Sequence, residues 1–381
     1  MSAQQTKNPE KSTVAVGMSG GVDSGVTALL LKEQGYDVIG LTMSIWDPER
    51  SVTAKKHSAC YGPGEAEDIA SARETAARLG IPHHTISLVA EYERWVLDEF
   101  RSRHLAGCTP NPCALCNPKM KFGFLLSRAR EQGLRFDRFA TGHYARVVRG
   151  GAADKFRLLR GVDATKDQSY FLARLDQAQL AGVMFPLGDL TKREVRELAR
   201  RAGLAALAEK RESQDFFEGD DISVLFDGTG TRPGPIVDEA GNVLGRHRGI
   251  IRYTVGQRDG LGIALGHKVY VKELRAETNT LVVADREGVY SSGCRLSDLR
   301  WIAGEPPAAG RGLSVRLRYR HAGVATALSL QPHEGAELRF AAPQFAVTPG
   351  QMAVLYDGDE VLGGGWIESA RPEPDSRGTH G

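Results

Sequence analysis

Residues Thr13–Lys32 read TVAVGMSGGVDSGVTALLLK. A short apolar run, Thr13–Val16, meets the turn Ser19–Ser24 (SGGVDS), which opens into an amphipathic stretch from Gly25 to Lys32. That order predicts a strand, a tight turn and a helix. Paired glycines let main-chain N–H groups approach an anion, and the helix N-terminus adds favourable partial charge. Ser19 and Ser24 supply hydroxyl donors, and Asp23 suits a phosphate-bound Mg²⁺. A Walker A loop would need Gly-x-x-x-x-Gly-Lys-Ser/Thr, which this stretch does not contain. The turn therefore predicts an ATP site of a different kind.

Working outward, strand-like and helix-like segments alternate as far as Phe216. Asp37–Met43, His84–Leu88 and Phe136–Thr141 read as strands. Glu65–Leu79, stopped by Gly80 and Pro82, reads as a helix, as do Glu91–Leu105 and Pro118–Gln132. Thr191–Glu194 is a capping box before Val195–Arg200. This pattern predicts a doubly wound α/β domain with a parallel sheet over 13–216, its ligands at the carboxyl ends of the strands. Glycine and proline then become frequent, and a small central, mostly-β domain is expected over 217–288, with a hairpin turn at Asp238–Asn242. Short alternating runs at Val315–Arg320, Ala336–Ala341 and Met352–Tyr356 predict a C-terminal β-barrel over 289–370. A period of two puts Arg316, Arg318 and Arg320 on one face of the first run, and Val315, Leu317 and Tyr319 on the other. Residues 1–12 and 371–381 are expected to be disordered.

A chain of 381 residues has room for two to three domains. Its net charge of +2 gives no global basic signature, so a nucleic-acid partner has to be read from local patches. Met1–Ser12 is polar and lacks a signal peptide's apolar core. No apolar run approaches the roughly 20 residues of a membrane span. Five cysteines are too few for a disulfide scaffold in a chain this long. Together these features predict a cytoplasmic protein.

Thr109–Lys121 (TPNPCALCNPKMK) carries the paired thiols Cys113 and Cys116. Asn117 is a good N-cap and Pro118 fits N1, which would put Cys116 just before a helix start. A helix end contributes ~0.3–1 kcal/mol, or ~0.2–0.7 of a pKa unit. That alone leaves the thiol mostly protonated, so Lys119, Lys121, a metal or a persulfide has to supply the rest. Other readings stay open. Cys60, Cys108, Cys113 and Cys116 would make a Cys₄ zinc site. Cys108-x₄-Cys113-x₂-Cys116 also matches a ferredoxin-like spacing. Cys294 reads as a small buried apolar residue.

The loop Gly17–Ser24 is similar to the pyrophosphate loop of ATP pyrophosphatases. With Thr109–Pro112, Cys116–Asn117, Lys121–Gly123, Thr141–Ala145, Lys166–Tyr170, Tyr253–Arg258, Gly260–Gly262 and Pro349–Gln351, the chain from Thr13 to Glu368 resembles the tRNA-specific 2-thiouridylases. The resemblance implies a pyrophosphate-loop domain, a small central domain and a C-terminal β-barrel. It also implies ATP-dependent 2-thiolation of the anticodon wobble uridine, by adenylation of the C2 oxygen and transfer of sulfur from a persulfide or an iron–sulfur cluster. By position, ATP contacts fall on Gly17, Met18, Ser19, Gly20, Gly21, Val22, Asp23, Ser24, Met43 and Gly142, with Mg²⁺ at Asp23. Cys116 falls on the catalytic cysteine. tRNA contacts fall on Asn111, Pro112, Cys113, His143, Lys166, Asp167, Gln168, Arg318, Tyr319 and Gln351. Implied partners are a tRNA with a wobble uridine and a sulfur donor such as a cysteine desulfurase or sulfur-relay protein.

Two departures stand out. Family members commonly carry Asp where this chain has Cys113, and a second catalytic cysteine where Glu212–Phe217 (ESQDFF) offers Phe217. Either Cys113 is the resolving thiol, or Cys113 and Cys116 hold an iron–sulfur cluster with Cys60 as third ligand. Alternatives from other classes are an adenylating ligase acting on a small molecule, and an RNA-binding protein with a regulatory nucleotide site.

Overall fold

The computed structural model describes residues 12–50, 59–150, 154–210, 215–219, 221–308, 310–332 and 335–372. The expected disordered N-terminus thus lies almost wholly outside the described residues.

The first domain is built on five parallel strands in the order His83–Ser87, Asp37–Ser44, Thr13–Gly17, Arg138–Ala140 and Val183–Met184. Val14, Ala15 and Val16 are fully buried. Ala15 joins one core with Leu41, Ile86 and Phe139, while Val14 and Val16 join another with Val26, Leu31 and Ala76. A strand covered on both faces has to be apolar throughout, which is why this run shows no polar alternation. From the central strand the chain first moves to one side of the sheet and later to the other. The reversal leaves a crevice where Gly17 and Ala140 end, the usual ligand position of such sheets.

Local signals fix most of the helices. Glu65–Leu79 ends at Gly80, whose φ of 63° is left-handed. Lys192–Arg201 starts at Thr191, whose side chain accepts from the Glu194 N–H while Glu194 accepts from the Thr191 N–H.

The thiol segment departs from expectation. Its helix begins at Pro112 behind the N-cap Asn111, runs to Cys116, widens into a π-helix over Asn117–Phe124 and returns to α over Leu125–Glu131. Cys116 therefore lies inside a helical run and not before a helix start. Asn-Pro occurs twice, and the helix starts at the earlier copy, with Pro112 in its first turn. The later Pro118 cannot donate an i→i−4 bond and crowds the carbonyl four residues back. The wide turn that begins there relieves the clash. Asn117 is buried, and its amide donates to the carbonyls of Cys113 (3.1 Å) and Phe171 (3.2 Å).

The central region is a four-stranded sheet in the order Val243–His247, Gly234–Val237, Thr280–Ala284 and Tyr270–Arg275, with its hairpin at Asp238–Asn242. Six antiparallel strands then close a C-terminal barrel: Tyr290–Trp301, Gly335–Phe345, Val324–Gln331, Leu313–Arg316, Met352–Asp357 and Glu360–Pro372, the last pairing back with the first. Closure removes the exposed edges. Cys294 is buried in this barrel core, as its reading required. A hairpin of the first domain, Ala145–Arg149 and Phe156–Arg160, pairs with Glu360–Val361 and ties the two domains together.

Two expectations need correction. The strand predicted through Arg320 stops at Arg316, because the chain turns there, the His321 N–H donating to the Arg318 carbonyl (3.0 Å), while the Arg316 guanidinium pairs with the buried Asp167 at 2.9 Å. The barrel's last strand continues through Arg371 and Pro372, where a disordered tail was expected to begin. No described helix is long and apolar enough to cross a membrane.

Candidate active site

The strand-end crevice is a cavity of about 300 Å³, lined by Gly17, Met18, Ser19 and Gly21–Ser24 together with Met43, Thr141, Gly142, His143, Gln168, Lys121 and Cys60. Gly20 turns the chain at φ 71°, and a Cβ there would stand 2.3 Å from the Asp68 carbonyl oxygen. Gly142 lets the neighbouring strand end approach, since a Cβ would meet Asp23 at 2.9 Å. The Ser19 N–H donates to Ser24 Oγ (3.2 Å), and Ser24 Oγ donates to the Gly21 carbonyl (3.0 Å). The helix from Val22 starts behind Gly21 with no side-chain cap, so its first N–H groups face the cavity's anion position unclaimed by a capping side chain.

Charged groups frame the loop. Both Asp23 oxygens accept from Lys192 Nζ at 2.8 Å, and Oδ1 also accepts from the Tyr144 hydroxyl at 2.8 Å. Lys210 Nζ donates to the Gly20 carbonyl (3.0 Å) and pairs with Asp68 (2.7 Å). Glu65 accepts from Ser44 Oγ (2.7 Å) and from the main-chain N–H groups of Ile45 and Trp46, fixing the wall that carries Met43. The roles of Lys192, Tyr144, Lys210 and Glu65 were missed in the sequence. Lys192 and Tyr144 stood inside motifs read for another purpose.

The thiols adjoin this cavity from one side. Cys60 is exposed on the short strand Ala59–Tyr61, which pairs with Asp215–Phe217. Phe217, where the resemblance implied a cysteine, is buried beside Tyr61 with ring centroids 6.4 Å apart. Burial pushes the Cys113 thiol up to about 12 and the Cys116 thiol up to about 11; Lys121 opposes both shifts, and Cys60 reinforces them. Burial also raises the Tyr92 hydroxyl, with the three thiols adding to the shift. Burial, helped by Lys121, holds His143 well below the usual imidazole range, so its ring is neutral. His143 Nδ1 lies 2.6 Å from Thr141 Oγ1. Cys108 stands apart, against Gly350 of the barrel. Among the described residues no three His, Cys, Asp or Glu side chains are arranged to hold a metal.

Of the residues expected to meet RNA, His143 and Gln168 line the cavity. Asn111, Pro112 and Cys113 form the first turn of the thiol helix. Gln351 reaches across from the barrel, its amide donating to the Thr109 carbonyl (2.8 Å). Tyr319 packs on Phe171, with centroids 4.5 Å apart, and Arg318 is exposed beside it. Lys166 is half-buried on the turn before Asp167. Asp167 is buried, accepting from the Gly161 and Ser169 N–H groups and pairing with Arg316, so it organises the turn from within.

Comparison with known proteins agrees along the chain. Residues 12–217 match the tRNA methyl transferase HUP domain, 223–285 the tRNA methyl transferase PRC-barrel domain and 291–367 the aminomethyltransferase beta-barrel domain. A protein of Geobacter metallireducens named tRNA-specific 2-thiouridylase MnmA is 46% identical across 94% of this chain and 98% of its own length. A protein of the same name from Geotalea uraniireducens is 45% identical across 96% and 97%. Another from Magnetococcus marinus is 44% identical across 93% and 98%.

Proposed function

Since the chain belongs to the family of tRNA-specific 2-thiouridylases, it is an ATP-dependent tRNA-uridine 2-sulfurtransferase, and we propose that it adenylates the wobble uridine at the Gly17–Ser24 cavity and delivers sulfur from Cys116. The observation that supports this reading best is the shared cavity: the phosphate-type loop and the wall carrying Cys60 and Lys121 face one space.

The loop's N–H groups and the helix N-terminus hold the phosphates, and the uridine C2 oxygen attacks the α-phosphate, releasing pyrophosphate. Adenylation turns a poor oxygen leaving group into AMP. The outer sulfur of a Cys116 persulfide then attacks C2 and AMP departs, leaving the base joined to Cys116 through an S–S bond. Cys113, one turn away, attacks Cys116 Sγ and breaks that bond. The 2-thiouridine is freed, and a Cys113–Cys116 disulfide remains for an external dithiol to reduce. A sulfur donor such as a cysteine desulfurase or relay protein reloads Cys116. The base leaves the anticodon stack to enter, which is least costly for an unpaired loop base. Arg318 and the Tyr319–Phe171 pair supply a cationic and aromatic surface beside the thiol helix, suited to the anticodon arm.

Neither a dedicated Mg²⁺ site nor an iron–sulfur cluster fits the residues as they stand. Asp23 commits both oxygens to Lys192, so Mg²⁺ would enter on the phosphates of ATP. Cys60, Cys113 and Cys116 neighbour one another, but among the described residues no three such side chains are arranged to hold a metal as they stand.

The test is pyrophosphate release from ATP with and without unmodified tRNA, alongside sulfur incorporation from persulfide-loaded enzyme. Release that needs tRNA and matches thiolated product is expected. Release driven by a small molecule alone would support a ligase, and tRNA binding without release a regulatory nucleotide site.

A further inference from the structure

We propose that Lys121 is the counter-ion of the sulfur carried at Cys116: its ammonium stabilises the anionic sulfur that attacks C2 and takes no part in forming the adenylate. The inference rests on the thiolation reading above and assigns one of its two half-reactions to a residue.

The first argument is helical geometry. In an α-helix with 3.6 residues per turn, a residue five positions on lies about 140° around the axis. A π-helix bonds i→i+5, so a residue five on has completed about one turn. Asn117–Phe124 is π, and it begins directly after Cys116. Lys121 is therefore brought round toward the Cys116 face, which a regular α-helix would have turned it away from.

The second argument is charge. Lys210, which also lines this cavity, is matched by Asp68, and Lys192 behind the loop is matched by Asp23. Lys121 is half-buried, and the charges acting on it are the thiols Cys116, Cys60 and Cys113. The groups facing the thiol from the packed elements are Cys60 and Tyr92 together with Cys113, with neutral His143 on the cavity side of Lys121. Burial works against an anion at Cys116, and among these neighbours Lys121 alone works for one. Taking an ammonium even partly out of water is costly unless it meets an anion. Anionic sulfur at Cys116 meets that need.

The third argument is position. Lys121 lines the nucleotide cavity, while Cys116 is buried and does not. The ammonium thus stands at the boundary the sulfur must cross. A phosphate ligand would occupy the same boundary, and kinetics separate the two roles.

Persulfide-loaded wild type, Lys121→Met and Lys121→Arg are compared in single turnover with ATP and tRNA, following pyrophosphate, adenylated tRNA and thiolated tRNA. Lys121→Met should release pyrophosphate within about twofold of wild type, lose about 10–100-fold in thiolation rate, and accumulate adenylated tRNA. Lys121→Arg should recover most of the loss. Pyrophosphate release that falls in step with thiolation would make Lys121 a phosphate ligand and overturn the assignment. Wild-type thiolation by Lys121→Met would make it a spectator. Lys121→Gln replaces the Met variant if that variant loses its thermal transition. A fault in the underlying reading shows instead in the wild type, which would form no thiolated tRNA, and both readings would then fall.

Discussion

Asp23→Asn tests the charge frame of the loop, because it keeps the shape and removes the anion. Lys192 would be left with its side chain only 9% exposed and its carboxylate partner gone. Removing one member of a fully buried ion pair costs about 3–5 kcal/mol. The Asp23 side chain is 29% exposed, so water screens part of the interaction, and about 2–3 kcal/mol is the working figure. In a domain of roughly 200 residues each kcal/mol moves the transition by about 2–4 °C, which predicts a fall of about 5–10 °C. Lys192→Met in the same chain removes the stranded cation, so the double variant should regain much of that loss. The coupling should be about 1–3 kcal/mol in a double-mutant cycle. Thermal unfolding of the four cycle members measures stability. Pyrophosphate release should fall at least about 100-fold in Asp23→Asn while tRNA affinity holds, since the pair supports the phosphate site. If Asp23→Asn melts with wild type, and the double variant is no more stable than the single, the pair is a surface contact and the argument fails.

Other outcomes follow from particular contacts. Gly20→Ala puts a Cβ 2.3 Å from the Asp68 oxygen in a left-handed residue. The backbone cost alone is about 1–2 kcal/mol, and the ATP KM should rise steeply; an unchanged KM would remove the loop from nucleotide binding. Arg318→Ala should lower the slope of log K against log salt for tRNA by about 0.7–0.9 and leave ATP binding alone; an unaltered slope would make this arginine ordinary surface. Cys116→Ala should abolish sulfur transfer, whereas Cys60→Ala should retain it within a few-fold if Cys113 resolves the persulfide. Loss of iron and activity together in anaerobically purified Cys60→Ala would restore the cluster scheme.

The parallel sheet and its loop were legible because their signals are local. An unbroken apolar run before a glycine turn, a capping box at Thr191 and a stop at Gly80 each act within a few residues. The fold added what those windows cannot hold. Tyr144 and Lys192 meet Asp23 from 121 and 169 residues away. Arg316 kept its outward register but turned to Asp167, 149 residues distant, so period two gave its face and not its partner. The thiol segment shows a further limit, since two Asn-Pro pairs six residues apart offer the same start signal. The choice falls to packing. Starting at Asn111 buries Ala114, Leu115 and Met120 in the main core, and Pro118 then falls where a regular turn is impossible. The widened turn that results carries Lys121 toward the thiols. The misplaced helix start and the rotation of Lys121 toward the thiols therefore have one cause, the second proline.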